Sequence, residues 1–233
     1  MIGVDRQVQL CEDVLMKTAA PSEEKTTYTT RGASTRQRIV DATASLTYAK
    51  GVEGTSLDDV RAAASVSKSQ LYHYFADKDA LIREVIASQT AHVLGAQDAA
   101  LAELDSLAAL RHWCDRILAL NKAGRNGGCP IGSLANELST QSEQARALLV
   151  ASFKAWEDRL AEGFAKMQQK GELERSADPR DLAIGVLCAV QGGLLLAKTS
   201  RGEGPLKIAL DMALDHVASR GPRPSGSAKK RRR

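Results

Sequence analysis

Aromatic side chains make up only 4% of the 233 residues. A chain this poor in large rings must build most of its core from Leu, Val, Ile and Ala. Cysteine is also scarce, and Cys11, Cys114, Cys129 and Cys188 stand far apart with no C-x-x-C pair. That spacing argues against a disulfide framework and against a zinc site. No segment alternates apolar and polar residues as a half-buried strand does, so the expected class is all-α. No apolar run reads as long enough to cross a bilayer. The opening residues MIGVDRQVQLCEDVLMK lack the basic start and continuous apolar core of a signal peptide. The expectation is a cytoplasmic protein with no membrane partner, and Met16 is an alternative start to Met1. There is no phosphate loop, nucleophile elbow, H-E-x-x-H or recognisable carboxylate pair, and His73, His92, His112 and His216 are isolated from one another. The expectation is therefore not an enzyme, with no cofactor and no metal. Net charge is only +4, too little to coat nucleic acid through bulk charge, so any such contact must be local.

The richest segment runs GTSLDDVRAAASVSKSQLYHYFADKDAL from Gly54 to Leu81. Ser56 is placed to cap a helix, with Asp59 in its acid-favouring first turn. Leu57, Val60 and Ala64 give that helix one apolar face. Ala64-Ser65-Val66 forms a tight turn, where Ser65 must enter the positive-φ region that glycine adopts more easily. Ser67 caps a second helix, and Gln70 at N3 completes a capping box. Asp77 caps a third, whose apolar positions Leu81, Ile82, Val85, Ile86 and Val93 continue for several turns. Two short helices joined by a tight turn are the layout of a helix-turn-helix, in which the second helix enters the DNA major groove.

Val66 and Leu71 can anchor that second helix, which leaves Lys68, Ser69, Gln70, Tyr72 and His73 facing outward. Gln70 can pair with an adenine edge and Lys68 can reach guanine acceptors or a phosphate. Ser69 is small enough to let the helix sink into the groove. Tyr72, His73, Thr55 and Ser67 can donate to phosphate oxygens, helped by the amides at helix starts such as Ser56. Lys78 adds a positive charge at the next helix, and Arg61 is a weaker candidate for phosphate. The run Tyr72-His73-Tyr74-Phe75 concentrates rings that core packing can use on one face only. Before the first helix, Arg31, Arg36 and Arg38 are candidates for backbone or minor-groove contact.

Residues 36–81 resemble the DNA-binding domain of the TetR/AcrR family of transcriptional regulators. The resemblance rests on Ile39, Ala42, Ala44, Leu46 and Gly51, then Thr55-Ser56, Val60, Ala64, Val66-Ser67, Leu71-Tyr72, Tyr74-Phe75 and Lys78-Asp79-Ala80-Leu81. Arg61 and Ser65 depart from it, where the family has a small apolar residue and a glycine. The resemblance implies a three-helix DNA-binding domain followed by a helical ligand-binding and dimerisation domain. It also implies a homodimer, a double-stranded DNA operator and a small-molecule effector.

Composition divides the chain into a flexible extension (1–33), the helix-turn-helix domain (34–77), a helical domain (78–220) and a basic tail (221–233). In the helical domain, Leu101, Leu104, Leu107 and Leu110 lead into Trp113, Cys114, Ile117 and Leu118. A glycine-rich break at residues 124–128 follows, then a short helix expected over Ser133–Ser139. Thr140 with Glu143 reads as a capping box for a long helix that stops near Gly171. Asp178-Pro179 opens another, nearly free of charge from Leu182 to Ala197, and a last helix spans roughly Pro205 to Ala218. The resemblance implies that residues 179–198 and 205–218 of two subunits form a four-helix bundle, which Gly185, Ala189, Gly192 and Gly193 would let pack closely. The two recognition helices would then stand about 34–36 Å apart and require a roughly palindromic operator.

Candidates to line an effector pocket are Trp113, Ile117, Cys129, Phe153, Trp156, Phe164, Met167 and Gln191, suited to an apolar or aromatic molecule. The same residues at helical spacing also read as plain core. Residues 128–138 (GCPIGSLANEL) resemble a segment of the LmrA/YxaF-like branch of the family, whose effectors are small aromatic or drug-like molecules. The leading expectation is a repressor released from its operator by such an effector. An alternative is a redox or electrophile sensor acting through Cys129, whose position at a helix start would lower its thiol pKa. A constitutive DNA-structuring protein is a third reading, which leaves the large helical domain without a use.

Overall fold

The structure is a computed structural model that describes residues 29–124 and 127–222. Of the expected flexible extension (1–33), residues 1–28 lie outside the described residues, while residues 30–33 are helical; of the expected tail (221–233), residues 223–233 lie outside them. The chain divides into two compact units, residues 1–37 and 38–233. In the first, the described residues are the opening turns of helix α1 (Thr30–Lys50), where Thr29 Oγ1 accepts from the Gly32 amide at 3.2 Å. Arg31 and Arg36 belong to those turns.

The second unit contains the rest of α1 and nine further helices among the described residues: α2 (Leu57–Ala64), α3 (Lys68–Tyr74), α4 (Lys78–Gly95), α5 (Asp98–Ala102), α6 (Leu107–Ala123), α7 (Pro130–Leu138), α8 (Glu143–Gln169), α9 (Pro179–Ser200) and α10 (Gly204–Ser219). Helix starts are set by short side chains that accept from orphan amides. Ser56, Ser67, Asp77, Ser106, Ser142 and Asp178 all do so. Asp178 takes two amides, those of Arg180 and Asp181, with Pro179 at a position that needs no donor. Between α2 and α3, Ser65 adopts φ 52° and ψ 52°, the strained left-handed turn expected of it.

Two expected boundaries differ. Helix α8 is capped by Ser142, not Thr140: residues 139–141 close a turn in which the Ser142 amide donates to the Leu138 carbonyl at 3.1 Å. Helix α7 starts at Pro130, three residues before the expected Ser133, because the Cys129 sulfur accepts from the Gly132 amide at 3.4 Å and serves as the cap.

Helix α8 crosses the domain and packs on α4, α7 and α9, while α9 packs most extensively on α10. Apolar residues from all these helices join one core, with Trp113, Trp156, Phe164, Leu104, Leu110 and Leu160 fully buried. At roughly 25 cal/mol per Å², each such side chain contributes about 1.5–3 kcal/mol. Ion pairs sit outside this core. Arg180 binds Glu157 and, at 2.9 Å, Asp158, joining the start of α9 to α8 at the surface.

Helix α9 has 22 residues and a mean hydropathy of 1.7 over its most apolar window, so by length and composition it could cross a membrane. That overturns the expectation that no segment qualifies. Its apolar character has two sources. Leu182, Val186, Val190, Leu194 and Ala197 are buried in the core, whereas Ile184, Leu195 and Leu196 are exposed.

Candidate functional site

Helix α3 presents its outer face as expected. Ser67, Lys68, Ser69, Gln70, Tyr72 and His73 are exposed, while Leu71 and Phe75 are buried in the core. The aromatic run therefore splits by face: Phe75 anchors, Tyr72 is 47% exposed, and the His73 and Tyr74 rings meet edge-on at 4.9 Å. Helix α2 is pinned beneath by Arg38, whose Nε donates to the Ala64 carbonyl at 2.9 Å. The α3 start is a full capping box, with Ser67 Oγ accepting from Gln70 N–H at 3.1 Å and Gln70 Oε1 accepting from Ser67 N–H at 2.9 Å. Gln70 Oε1 thus already serves the cap, so pairing with an adenine edge through both amide atoms needs its second lone pair or an opened cap. Its Nε2 group carries the donors that a base acceptor can take.

Three expected DNA contacts stand differently. Thr55 is 1% exposed and its hydroxyl donates to the Gly51 carbonyl at 2.7 Å. It holds the turn before α2. Lys78 is half-buried, and its Nζ donates to the Val52 carbonyl at 2.7 Å, so its charge is turned inward. Ser56 is exposed, but its hydroxyl donates to Asp59 Oδ2 at 2.7 Å and accepts from the Asp59 amide at 3.1 Å in a second capping box. Asp59 also receives Lys50 Nζ at 2.7 Å. That hydrogen bond, with those from Ser56, holds the Asp59 carboxyl well below the usual carboxylate range. Arg61 binds Asp58 at 2.5 Å, on its own helix. The exposed face of α3 carries a run of polar side chains, Ser67 to Gln70 with Tyr72 and His73.

Of the residues expected at an effector pocket, Trp113, Ile117, Cys129, Trp156, Phe164 and Met167 are buried in the core, with Phe153 packed against it. The Trp113 indole donates to Gln97 Oε1 at 3.0 Å, and Gln97 Nε2 donates to the Val93 carbonyl at 2.7 Å. Sequence reading passed over Gln97, a polar side chain only 2% exposed. The Trp156 indole nitrogen is buried without a hydrogen-bond partner. Gln191 reaches from α9 to the start of α7, where it meets Cys129 and Gly132.

Cys129 differs from expectation in its electrostatics. Burial pushes its thiol up, outweighing the Gly132 and Ile131 amides and the Gln191 side chain that favour the thiolate. A helix start lowers a thiol pKa when water also reaches the sulfur, and here it does not. Cys114 is pushed up to about 12, first by burial and then by Asp115. Cys188 on α9 is exposed.

Sequence reading also missed Glu137. Its Oε2 accepts from the Val52 amide at 2.7 Å, joining α7 to the turn between α1 and α2. A glutamate on a short helix looks like a solvated charge, and its partner lies 85 residues away, so no local signal announces the contact.

Two family models match the chain. Residues 39–85 match "Bacterial regulatory proteins, tetR family", and residues 106–212 match "Transcriptional regulator LmrA/YxaF-like, C-terminal domain". The transcriptional regulator AcuR of Cereibacter sphaeroides is 30% identical over 67% of this chain and 73% of its own. The HTH-type transcriptional repressor DhaR of Mycobacterium sp. strain GP1 is 26% identical over 73% of this chain and 86% of its own. The crystal structure of a regulatory protein TetR from Rhodobacter sphaeroides superposes with a TM-score of 0.72 at 26% identity, over 78% of this chain and 98% of that one. With the exposed face of α3 on a doubly capped helix-turn-helix and an all-helical domain behind it, these matches give the assignment: the chain belongs to the TetR family of transcriptional regulators, with a C-terminal domain of the LmrA/YxaF-like kind.

Proposed function

We propose that the protein is a homodimeric repressor that leaves a roughly palindromic operator when a small apolar or aromatic molecule enters its helical domain. The observation that carries the proposal is the face of α3, where Ser67, Lys68, Ser69, Gln70, Tyr72 and His73 are exposed together while Leu71 and Phe75 fix the helix from behind. The second copy suits the exposed apolar side chains on α9 and α10: Leu195 is 64% exposed, Ile208 62% and Met212 68%. Gly185 and Gly192 have no atom within 4 Å of an added Cβ, so they leave room for close approach on this helix. In the effector-free state the two α3 helices sit at operator spacing. Effector binding shifts α4, which starts beside the helix-turn-helix and packs on α7 and α8, and the population moves to a spacing that DNA does not accept.

The test is a DNA-binding titration across salt concentrations. Lys68→Ala weakens binding to all duplexes and lowers the magnitude of the salt slope by about one. Gln70→Ala relaxes base preference at one position, worth about 1–3 kcal/mol of discrimination. Wild-type binding falls on addition of small aromatic compounds. Wild-type affinity, salt slope and base preference in both variants would remove α3 as the reading face. The electrophile-sensing alternative through Cys129 draws no support from the raised thiol.

A further inference from the structure

One residue of the helix-turn-helix domain, Val52, is gripped through both of its main-chain polar groups. The Val52 amide donates to Glu137 Oε2 at 2.7 Å, from α7. The Val52 carbonyl accepts from Lys78 Nζ at 2.7 Å, from α4. The neighbouring Gly51 has φ +81°, and a Cβ there would stand 3.1 Å from the Glu137 carboxylate. Glycine therefore both permits the turn and lets the carboxylate close in. The grip extends on each side: Thr55 Oγ1 donates to the Gly51 carbonyl at 2.7 Å, and Gln141 Nε2 donates to Glu53 Oε1 at 3.0 Å. This segment leads directly into α2, so its position sets that of the helix-turn-helix.

The opposite end of α7 is seated differently. An added Cβ at Gly132 would lie 2.7 Å from Gln191 Oε1, so the tip of the Gln191 side chain from α9 fills the space beside α7 there. Gln191 Nε2 is buried beside the Cys129 sulfur without a well-formed hydrogen bond. Helix α7 has 9 residues and spans about 13 Å. It is a short rigid rod with one end against an incompletely satisfied amide and the other bonded to the backbone of the DNA-binding domain.

We propose that α7 is a lever and Glu137 its positioning residue: displacement at the Gln191–Cys129 corner is carried along α7 and read out as movement of the Gly51–Val52 turn and of α2 and α3 behind it. This rests on the regulator reading and adds a second route beside α4. The two routes meet at Val52, where Lys78 supplies the α4 contact and Glu137 the α7 contact. A side chain or ligand that pushes α7 from α9 must draw the Glu137 carboxylate with it, or break its bond to Val52.

The experiment uses the full chain and a duplex that the wild-type protein selects from a random-sequence pool. Gly132→Leu wedges α7 from α9, and Gln191→Ala is a second far-end change should that variant fail to fold. Glu137→Ala removes the grip, and Glu137→Gln keeps an acceptor for the Val52 amide. The wedge is expected to change affinity at least about fivefold in the wild-type background but less than about twofold in Glu137→Ala, with coupling restored in Glu137→Gln. Hydrogen exchange at the Val52 amide is expected to speed at least about tenfold on Glu137→Ala and on the far-end change. Additive effects on affinity, or Val52 exchange that ignores the far-end change, would overturn the proposal. If the wild-type protein selects no duplex, the regulator reading fails by itself, while Val52 exchange still decides the lever.

Discussion

At the scale of single residues, most of the polar side chains near the DNA-reading face are engaged in shaping that face. Asp59 closes the α2 capping box and binds Lys50, and these bonds hold its carboxyl below its usual range. A carboxyl depressed in the folded state stabilises above its unfolded pKa, about 4, and this contribution is lost as pH falls through the folded value. Thermal midpoints of wild type and Asp59→Asn should therefore differ by a constant amount above about pH 5 and converge below about pH 4. Curves that stay parallel from pH 7 to pH 3 would show that the Asp59 charge does not stabilise the cap. Ser67 and Gln70 combine two uses in the same way. Their mutual bonds start α3, and the same side chains face outward.

At the scale of elements, the helix starts were legible in the sequence because a cap is a bond between residues two or three positions apart. Ser56, Ser67, Asp77 and Asp178 each bind an amide within three residues. The error at α8 has the same origin. Thr140 has the right spacing to Glu143, but Ser142 has its own amide three residues on, and the preceding turn places it first. The bonds of Thr55 and Lys78 inside the fold were not legible because their partners, Gly51 and Val52, are main-chain carbonyls that a sequence pattern does not display. Close helix approach is similarly hidden. At Gly163, an added Cβ would stand 2.5 Å from Leu104 Cγ, and Leu104 is fully buried. Gly163→Ala should lose about 1–3 kcal/mol to overpacking, outweighing the gain of up to about 1 kcal/mol in helix propensity. A variant as stable as wild type in thermal unfolding would show that α8 and the α5–α6 turn can part at no cost.

At the scale of the whole molecule, the chain carries an apolar surface that one subunit leaves uncovered. Ile184, Leu195 and Leu196 on α9 and Ile208 and Met212 on α10 are large and exposed, against a core that buries the opposite faces of the same helices. The near absence of charge in α9 was legible. The division of its apolar residues between an inner and an outer face needed the packing of α8 and α10 around it. On the proposed function, two copies meet through this surface of α9 and α10 and present two α3 helices to one duplex. Selection of duplexes from a random pool by the wild-type protein measures that claim most directly. The account predicts an enriched inverted repeat whose half-site centres lie about 10–10.5 base pairs apart or a multiple of that distance, with the enrichment lost in Met212→Glu. An enriched single half-site without its repeat, or the same repeat selected by Met212→Glu, would contradict it.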